Sequence, residues 1–298
     1  MDEPYRHAGT VSRAIARPRG ATSENVRPGV PVLDPGGGGG YDGPMIDTHC
    51  HLGSSRYRKD RAEVLARARA AGVTAFVEVG YDPATNDRAT ALAASEPDVW
   101  ATVGIHPHEV ARAPADACER LREQARRPRV VAIGECGLDF YRNLSPADLQ
   151  RDWFERQLAL AKELDLPLVV HSRDAMDETI DRIERAAPAR GAVLHCWSGN
   201  AAQALRAAAL GLKLGFGGSL TYGDAALEEA ARVVPAEALL LETDAPYLVP
   251  EPRDTKRNEP ALMARVRAHL ARLRGTNEDA IDELTTQNAT RLLALGPA

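Results

Sequence analysis

Short apolar runs alternate with longer mixed stretches along most of the chain. The runs are MIDTH (45–49), TAFVEVG (74–80), VWATVGIH (99–106) and VVAIGE (130–135), then PLVVHS (167–172), AVLHCW (192–197), LKLGFGG (212–218) and ALLLETDA (238–245). Continuous apolar runs of this kind suit strands buried on both faces, as in a parallel sheet. Between them lie segments rich in Ala, Leu, Arg and Glu, such as DRAEVLARARAAG (60–72) and DLQRDWFERQLALAKELDL (148–166), which read as helices. Eight strand-then-helix units in about 250 residues match the size and order of a (β/α)8 TIM barrel, an α/β fold. A doubly wound sheet is the alternative. The stretch from 258 to 295 reads as the eighth helix plus one or two short extra helices.

Residues 1–44 lack this pattern. They mix Pro, Gly, Arg and Ser and contain GGGGG at 36–40. Such a segment buries too little apolar surface to offset its ordering entropy. The glycine run lacks the G-K-[ST] ending of a phosphate-binding loop, so it reads as linker. The expectation is a flexible or disordered N-terminal extension over 1–44 and one barrel domain over 45–298.

Composition narrows the function. The 298 residues are 44% hydrophobic, which is enough for a large core. No 18-residue apolar run is present to span a membrane. The opening MDEP lacks the basic start and apolar stretch of a signal peptide, so a cytoplasmic protein is expected. The net charge of −5 disfavours a protein that coats DNA by non-specific attraction. It leaves room for an enzyme whose cleft gains positive charge from bound metal ions. The four cysteines, Cys50, Cys118, Cys136 and Cys196, form no C-x-x-C pair and read as free core thiols. No obligate protein partner is indicated, and a monomer is expected.

The chemistry gathers where apolar runs stop. The first run ends in Asp47, His49 and His51, the third in His106 and His108, and the fourth in Glu135. His171 ends the fifth, His195 the sixth and Asp244 the eighth. Any one of these, taken alone, reads as a hydrogen-bonded structural residue or a turn former. Together they share one address, the C-terminal face where barrel enzymes build their sites. That recurrence favours the barrel over the open sheet, which concentrates its site at one switch point. His49 and His51 are two apart, so they share a strand face, while Cys50 between them points away. By the same alternation Cys136 and Cys196 face the helix layer.

Nitrogen and carboxylate donors without thiolate suit zinc, manganese or magnesium. Six donors, His49, His51, Glu135, His171, His195 and Asp244, exceed what one catalytic zinc uses. They suit two divalent ions sharing a bridging carboxylate, for which Glu135 is placed opposite the first strand.

These motifs, with AGV (71–73), F-x-x-Q-L (154–158) and KRNEP (256–260), stand in order from Met45 to about Leu295. The whole set resembles the TatD family of metal-dependent deoxyribonucleases, (β/α)8 barrels of the wider amidohydrolase-like group. The resemblance implies that His49 and His51 hold one metal, that Glu135 bridges, and that His171 and His195 hold the second. It implies that Asp244 ligates metal and handles the proton of the attacking water. It also implies 3′-to-5′ exonuclease action on single-stranded DNA, with RNA as a further substrate.

Outside that set, His106, Arg173 and Arg257 are candidate substrate contacts, the arginines because guanidinium matches phosphate geometry, with surface ion pairs the alternative for both arginines. Trp197 and Tyr247 are candidate base-stacking residues, with core or rim packing the commoner fate of such aromatics. Asp139 and Asp174 read as loop-orienting or capping residues. The alternative activity is amide or ester hydrolysis of the amidohydrolase type, for example by a deacylase. Glu135 occupies the place where a carbamylated lysine would stand in that chemistry, which disfavours it.

Overall fold

The computed structural model describes residues 44–295. Eight strands form one sheet in sequence order, every adjacent pair parallel. They are β1 (Met45–Cys50), β2 (Val73–Val79), β3 (Val99–Val103), β4 (Val130–Asp139), β5 (Leu168–Arg173), β6 (Ala192–Leu194), β7 (Lys213–Phe216) and β8 (Leu239–Leu241). The helices are α1 (Arg61–Ala70), α2 (Pro83–Ser95), α3 (Ala117–Ala125), α4 (Ala147–Leu164), α5 (Met176–Ala186), α6 (Ala201–Ala209), α7 (Ala225–Val233), α8 (Met263–Arg274) and α9 (Glu278–Leu293). The seam between β8 and β1 is held by Thr48 Oγ1 donating to Leu241 O at 2.9 Å. Two backbone bonds continue it, Asp244 N to His49 O and His51 N to Ala245 O, both 2.8 Å. The TIM barrel is therefore the observed fold, and the sequential strand order excludes the doubly wound sheet.

The apolar residues divide into two clusters. The larger joins the outer strand faces to the helices and includes Phe76, Val103, Leu138, Phe154, Ile180, Leu194 and Phe216. The smaller contains Ile46, Val77, Trp100, Val131, Val169, Val193 and Leu240, together with Leu292, Leu293 and Leu295 at the end of α9. These last three residues join the set drawn from the strands, so α9 packs on the barrel as well as on its neighbour helix. It is also 16 residues long, not one of the short extra helices expected. Buried Asn288 on α9 donates to Ala236 O and Leu239 O at 2.9 and 3.0 Å, which fixes the helix to the start of β8.

Two strands carry register shifts where the site is built. On β1 the shift lies between Asp47 and Cys50, and on β4 between Ile133 and Cys136. An extra residue in one strand re-aims the side chains that follow it. β4 also runs on to Asp139, pairing residue by residue with β5, and outlasts its apolar run. β6 and β8 stop early, at Leu194 and Leu241. Cys196 and Asp244 beyond them take left-handed backbone conformations (φ 46° and 53°), which ends the extended chain. The alternation argument therefore fails for Cys196. Cys50 and Cys136 lie buried in the larger cluster as expected, whereas Cys196 is partly exposed near Asp244 and Glu242.

No helix among the described residues is long and apolar enough to cross a membrane. The expected extension over 1–44 lies outside the described residues except for Pro44, whose carbonyl accepts from Thr286 Oγ1.

Candidate metal centre

Glu135 sits at the middle of the barrel mouth with 3% of its surface exposed. Its two oxygens face different partners. Oε2 lies 3.6 Å from His49 Nε2. Oε1 lies 2.8 Å from His195 Nε2, 3.2 Å from His171 Nδ1 and 3.3 Å from His106 Nε2. Asp244 Oδ1 stands on the β1 side, 3.2 Å from His51 Nε2 and 3.7 Å from His49 Nε2. All six expected donors converge.

Three sets of donor atoms each fall within 4.8 Å of one another: His49, Glu135 and His195; His49, His51 and Asp244; and His106, Glu135 and His171. His49 Nε2 and Asp244 Oδ2 are buried with no hydrogen-bond partner. A buried polar atom left unpaired costs free energy unless something else satisfies it. A divalent cation among these donors would do so, and the nitrogen and oxygen donor set fits one.

The electrostatics point the same way. Burial alone would raise the Glu135 pKa, but the charge of His195 and hydrogen bonds from His106 and His171 hold it well below the usual range. Burial lowers the His49 pKa, and the neighbouring His195 lowers it further. For His51 burial is overcome by the hydrogen bond and charge of Asp244, and the pKa rises to about 9. His171 and His195 are likewise raised despite burial, His171 by Asp139 and Glu135, His195 by Glu135 and Glu242. The protein thus gathers negative charge that protons or cations must balance.

A further ring of residues orients these donors. Asp139 Oδ2 accepts from His171 Nε2 at 3.0 Å and lies 2.9 Å from His108 Nε2, which turns His171 Nδ1 toward Glu135. Gln150 on α4 holds Asp139 in turn, accepting from its backbone N–H at 2.8 Å. Glu242 lies 3.6 Å from His195 Nδ1 and accepts from Cys196 N at 2.6 Å. It fits only because residue 215 is glycine: a Cβ there would lie 2.0 Å from Glu242 Oε2. Asp47 accepts from Thr243 Oγ1 at 2.6 Å and Thr243 N at 3.0 Å, tying β1 to the loop that carries Asp244. Glu78 accepts from Leu52 N and Gly53 N, fixing the turn after His51. Burial pushes Asp47 and Glu78 up to about 7.

Sequence reasoning missed Glu242 and Glu78 and gave Asp139 only a loop-orienting role. One signal was present for Asp139: it stands four residues after Glu135 on the same strand, hence on the same face.

The other expected contacts fall out differently. His106 joins the donor cluster directly. Its Nδ1 accepts from His108 N at 3.0 Å, so its hydrogen sits on Nε2 and is donated toward Glu135. Burial lowers its pKa to about 3, which keeps the ring neutral. Arg257 is committed elsewhere. Its guanidinium donates to both Asp60 oxygens at 2.7 and 3.0 Å, to Glu259 at 2.7 Å and to Arg56 O at 2.7 Å. That geometry ties the loop after β8 to the segment after β1 and does not support a phosphate clamp. Arg173 stands at the end of β5 with its guanidinium 4.0 Å over the Tyr141 ring. Trp197 is 1% exposed and so is not placed to stack a base. Tyr247 is partly exposed, its ring edge-on to His51 at 5.9 Å.

Comparison with known proteins gives a consistent answer. The family model described as TatD related DNase matches residues 46–294. The chain is 39% identical over 259 residues to the 3′-5′ ssDNA/RNA exonuclease TatD of Rahnella sp., covering 84% of this chain and 98% of that protein. It is 36% identical over 253 residues to the uncharacterized metal-dependent hydrolase YabD of Bacillus subtilis, covering 84% and 99%. Among solved structures, the TatD homolog YjjV from Escherichia coli K12 superposes with a TM-score of 0.81 at 33% identity, covering 85% and 98%. The extent of these matches settles the identity: this chain belongs to the family of TatD-related DNases.

Proposed function

We propose that the protein is a two-metal phosphodiesterase that removes nucleotides from the 3′ end of single-stranded DNA and also accepts RNA. The observation that carries this reading is the division of labour on Glu135, whose oxygens face separate histidine groups. The printed activity of the Rahnella relative supports the substrate. His49, His51, Asp244 and Glu135 would hold one divalent ion, and Glu135, His171 and His195 the other, drawn from magnesium, manganese or zinc. When bound, such ions lower the pKa of a water and offset charge on a phosphodiester.

The chain's own groups do the remaining work. Asp244 stands among the donors, its Oδ1 3.2 Å from His51 Nε2 and 3.7 Å from His49 Nε2, and its carboxylate would accept the proton of an attacking water. His106, fixed neutral with hydrogen on Nε2, donates to Glu135 and keeps that carboxylate oriented. Asp139 and Glu242 fix the ring orientations of His171 and His195.

The test is an end-labelled oligonucleotide assay on protein stripped with chelator and reloaded with defined metals. The expected result is metal-dependent release of mononucleotides from the 3′ end, with kcat lowered about 10²- to 10⁴-fold in Asp244→Asn, the size of a lost proton-transfer step. Loaded protein that cleaves no DNA or RNA, yet turns over aminoacyl esters or cyclic amides, would replace this reading with amide or ester hydrolysis.

A further inference from the structure

Of the arginine–tyrosine pairs beyond the C-terminal strand ends, two follow the β4–β5 and β8–β1 edges. One is Arg173 over Tyr141, with the guanidinium 4.0 Å from the ring centroid. Its position follows from strand register. Asp139 on β4 pairs with Arg173 on β5, and Phe140 N donates to Arg173 O at 3.0 Å. Arg173 is two residues beyond His171 on β5, roughly 6.6 Å of strand rise further along, and Tyr141 lies in the turn that follows Asp139 at the end of β4. Tyr141 is 47% exposed, high for so large an aromatic. A cleft of about 710 Å³ opens on Arg173 and on Phe140, the chain neighbour of Tyr141, and its lining includes Arg151 together with Asp174, Asp177 and Glu178. Three carboxylates against two guanidiniums, one of them already paired with Glu178, leave no excess positive charge for a phosphate there and favour a flat, neutral base.

The second pair is Arg56 over Tyr247, with the guanidinium 5.4 Å from the ring centroid. Tyr247 comes three residues after Asp244, and its backbone N–H donates to Asp244 O at 2.8 Å. Arg56 lies in the segment that follows β1. In an eight-stranded barrel with strands in sequence order, the β4–β5 edge faces the β8–β1 edge. The candidate metal donors reach from His51, whose ring lies 5.9 Å from that of Tyr247, to His171, two residues before Arg173 on β5. Stacking faces beside cationic groups are how proteins hold single strands without reading sequence, and bases stack on both aromatic rings and guanidinium planes.

We propose that a single nucleic-acid strand crosses the mouth from the β4–β5 edge to the β8–β1 edge, with the base on one side of the scissile phosphate stacked at Tyr141–Arg173 and the base on the other side stacked at Tyr247–Arg56. This rests on the nucleic-acid reading above. It goes beyond that reading by assigning a base subsite to each side of the cleaved bond. It also predicts that the bases themselves, and not the phosphate chain alone, set the apparent affinity.

The experiment uses metal-loaded full-length protein and three oligonucleotides: intact, abasic at the terminal nucleotide, and abasic at the penultimate one. Wild type is expected to show roughly tenfold higher KM for each abasic substrate, within the range for loss of one stacked base. Tyr141→Ala should no longer distinguish the intact substrate from one of the abasic substrates, while still distinguishing it from the other. Tyr247→Ala should show the reverse pattern. Tyr141→Phe and Tyr247→Phe, which keep the ring, should retain wild-type discrimination, and thermal melting of all variants checks that the fold is unchanged. The inference is overturned if wild type ignores both abasic positions, if both alanine variants become blind to the same position, or if either keeps full discrimination at both. Wild type that cleaves none of the three substrates overturns the nucleic-acid reading itself and this inference with it. That outcome is distinguished by the absence of any turnover to compare.

Discussion

Glu135 is useful because a carboxylate has two oxygens and the histidines reach them from two directions. The nearest, His195 and His171, approach one oxygen, and His49 approaches the other. His171 can do this only while Asp139 takes its other ring nitrogen. Asp139→Asn keeps the size of the side chain and removes its charge. The expected outcome is a roughly 10- to 100-fold loss of metal affinity, typical when a partner behind a metal-ligating histidine is changed. A titration of metal-free protein with manganese or zinc, followed by calorimetry, checks it; unchanged affinity would show that Asp139 serves only its loop. At this scale the sequence was readable where a residue's address carried the meaning. His49, His51, Glu135, His171, His195 and Asp244 each follow an apolar run, and their convergence needs only the fold. For Arg257 the sequence left a phosphate contact and an ion pair both open, because the choice depends on partners far along the chain. Asp60 lies 197 residues from Arg257, and no local pattern announces that ion pair.

The strands were legible from their apolar runs, but their ends were not. β4 outruns its apolar run because β5 supplies partners as far as Arg173. β6 and β8 stop short, and left-handed residues stand a few positions further on, at Cys196 and Asp244. Neither register shift leaves a mark in hydrophobicity, since an extra strand residue changes facing and not composition. The shift on β4 has a steric signature instead. A Cβ on Gly104, just beyond β3, would lie 2.5 Å from Gly134 C and 2.8 Å from Glu135 N. These are backbone atoms and cannot swing aside. Gly104→Ala should therefore destabilise the fold by about 1–3 kcal/mol, as overpacking does, and weaken metal binding because the displaced peptide carries Glu135. Chemical denaturation with and without metal separates the two effects. A variant with wild-type stability would mean that β3 and β4 can part without disturbing the site.

For the molecule as a whole, the barrel from Met45 onward contains every donor, orienting residue and core residue described above. Among the described residues, what precedes Met45 contributes the Pro44 carbonyl, which accepts from partly exposed Thr286. A chain lacking residues 1–44 is expected to melt within about 1 kcal/mol of the full chain, the worth of a single exposed hydrogen bond, and to keep the same kcat/KM. Parallel melting and nuclease assays check this, and loss of both stability and activity would make the extension part of the enzyme. The barrel was legible at this scale because eight runs in order allow few other topologies. The role of α9 was not, because an amphipathic segment does not say which surface it will cover.

That helix has a consequence for how the protein is made. Ile46 on β1 and Leu292, Leu293 and Leu295 belong to one apolar cluster, though nearly the whole domain separates them in sequence. Each buried leucine contributes about 1.5–3 kcal/mol, comparable with a good fraction of a domain's net stability. A growing chain emerges from the ribosome first end first, at about 5–20 residues per second. β1 must therefore wait many seconds, with its apolar face unmatched, for the segment that completes its cluster. Until then the half-built barrel presents open strand edges and bare leucine-binding surface, the features by which chaperones recognise an unfinished protein.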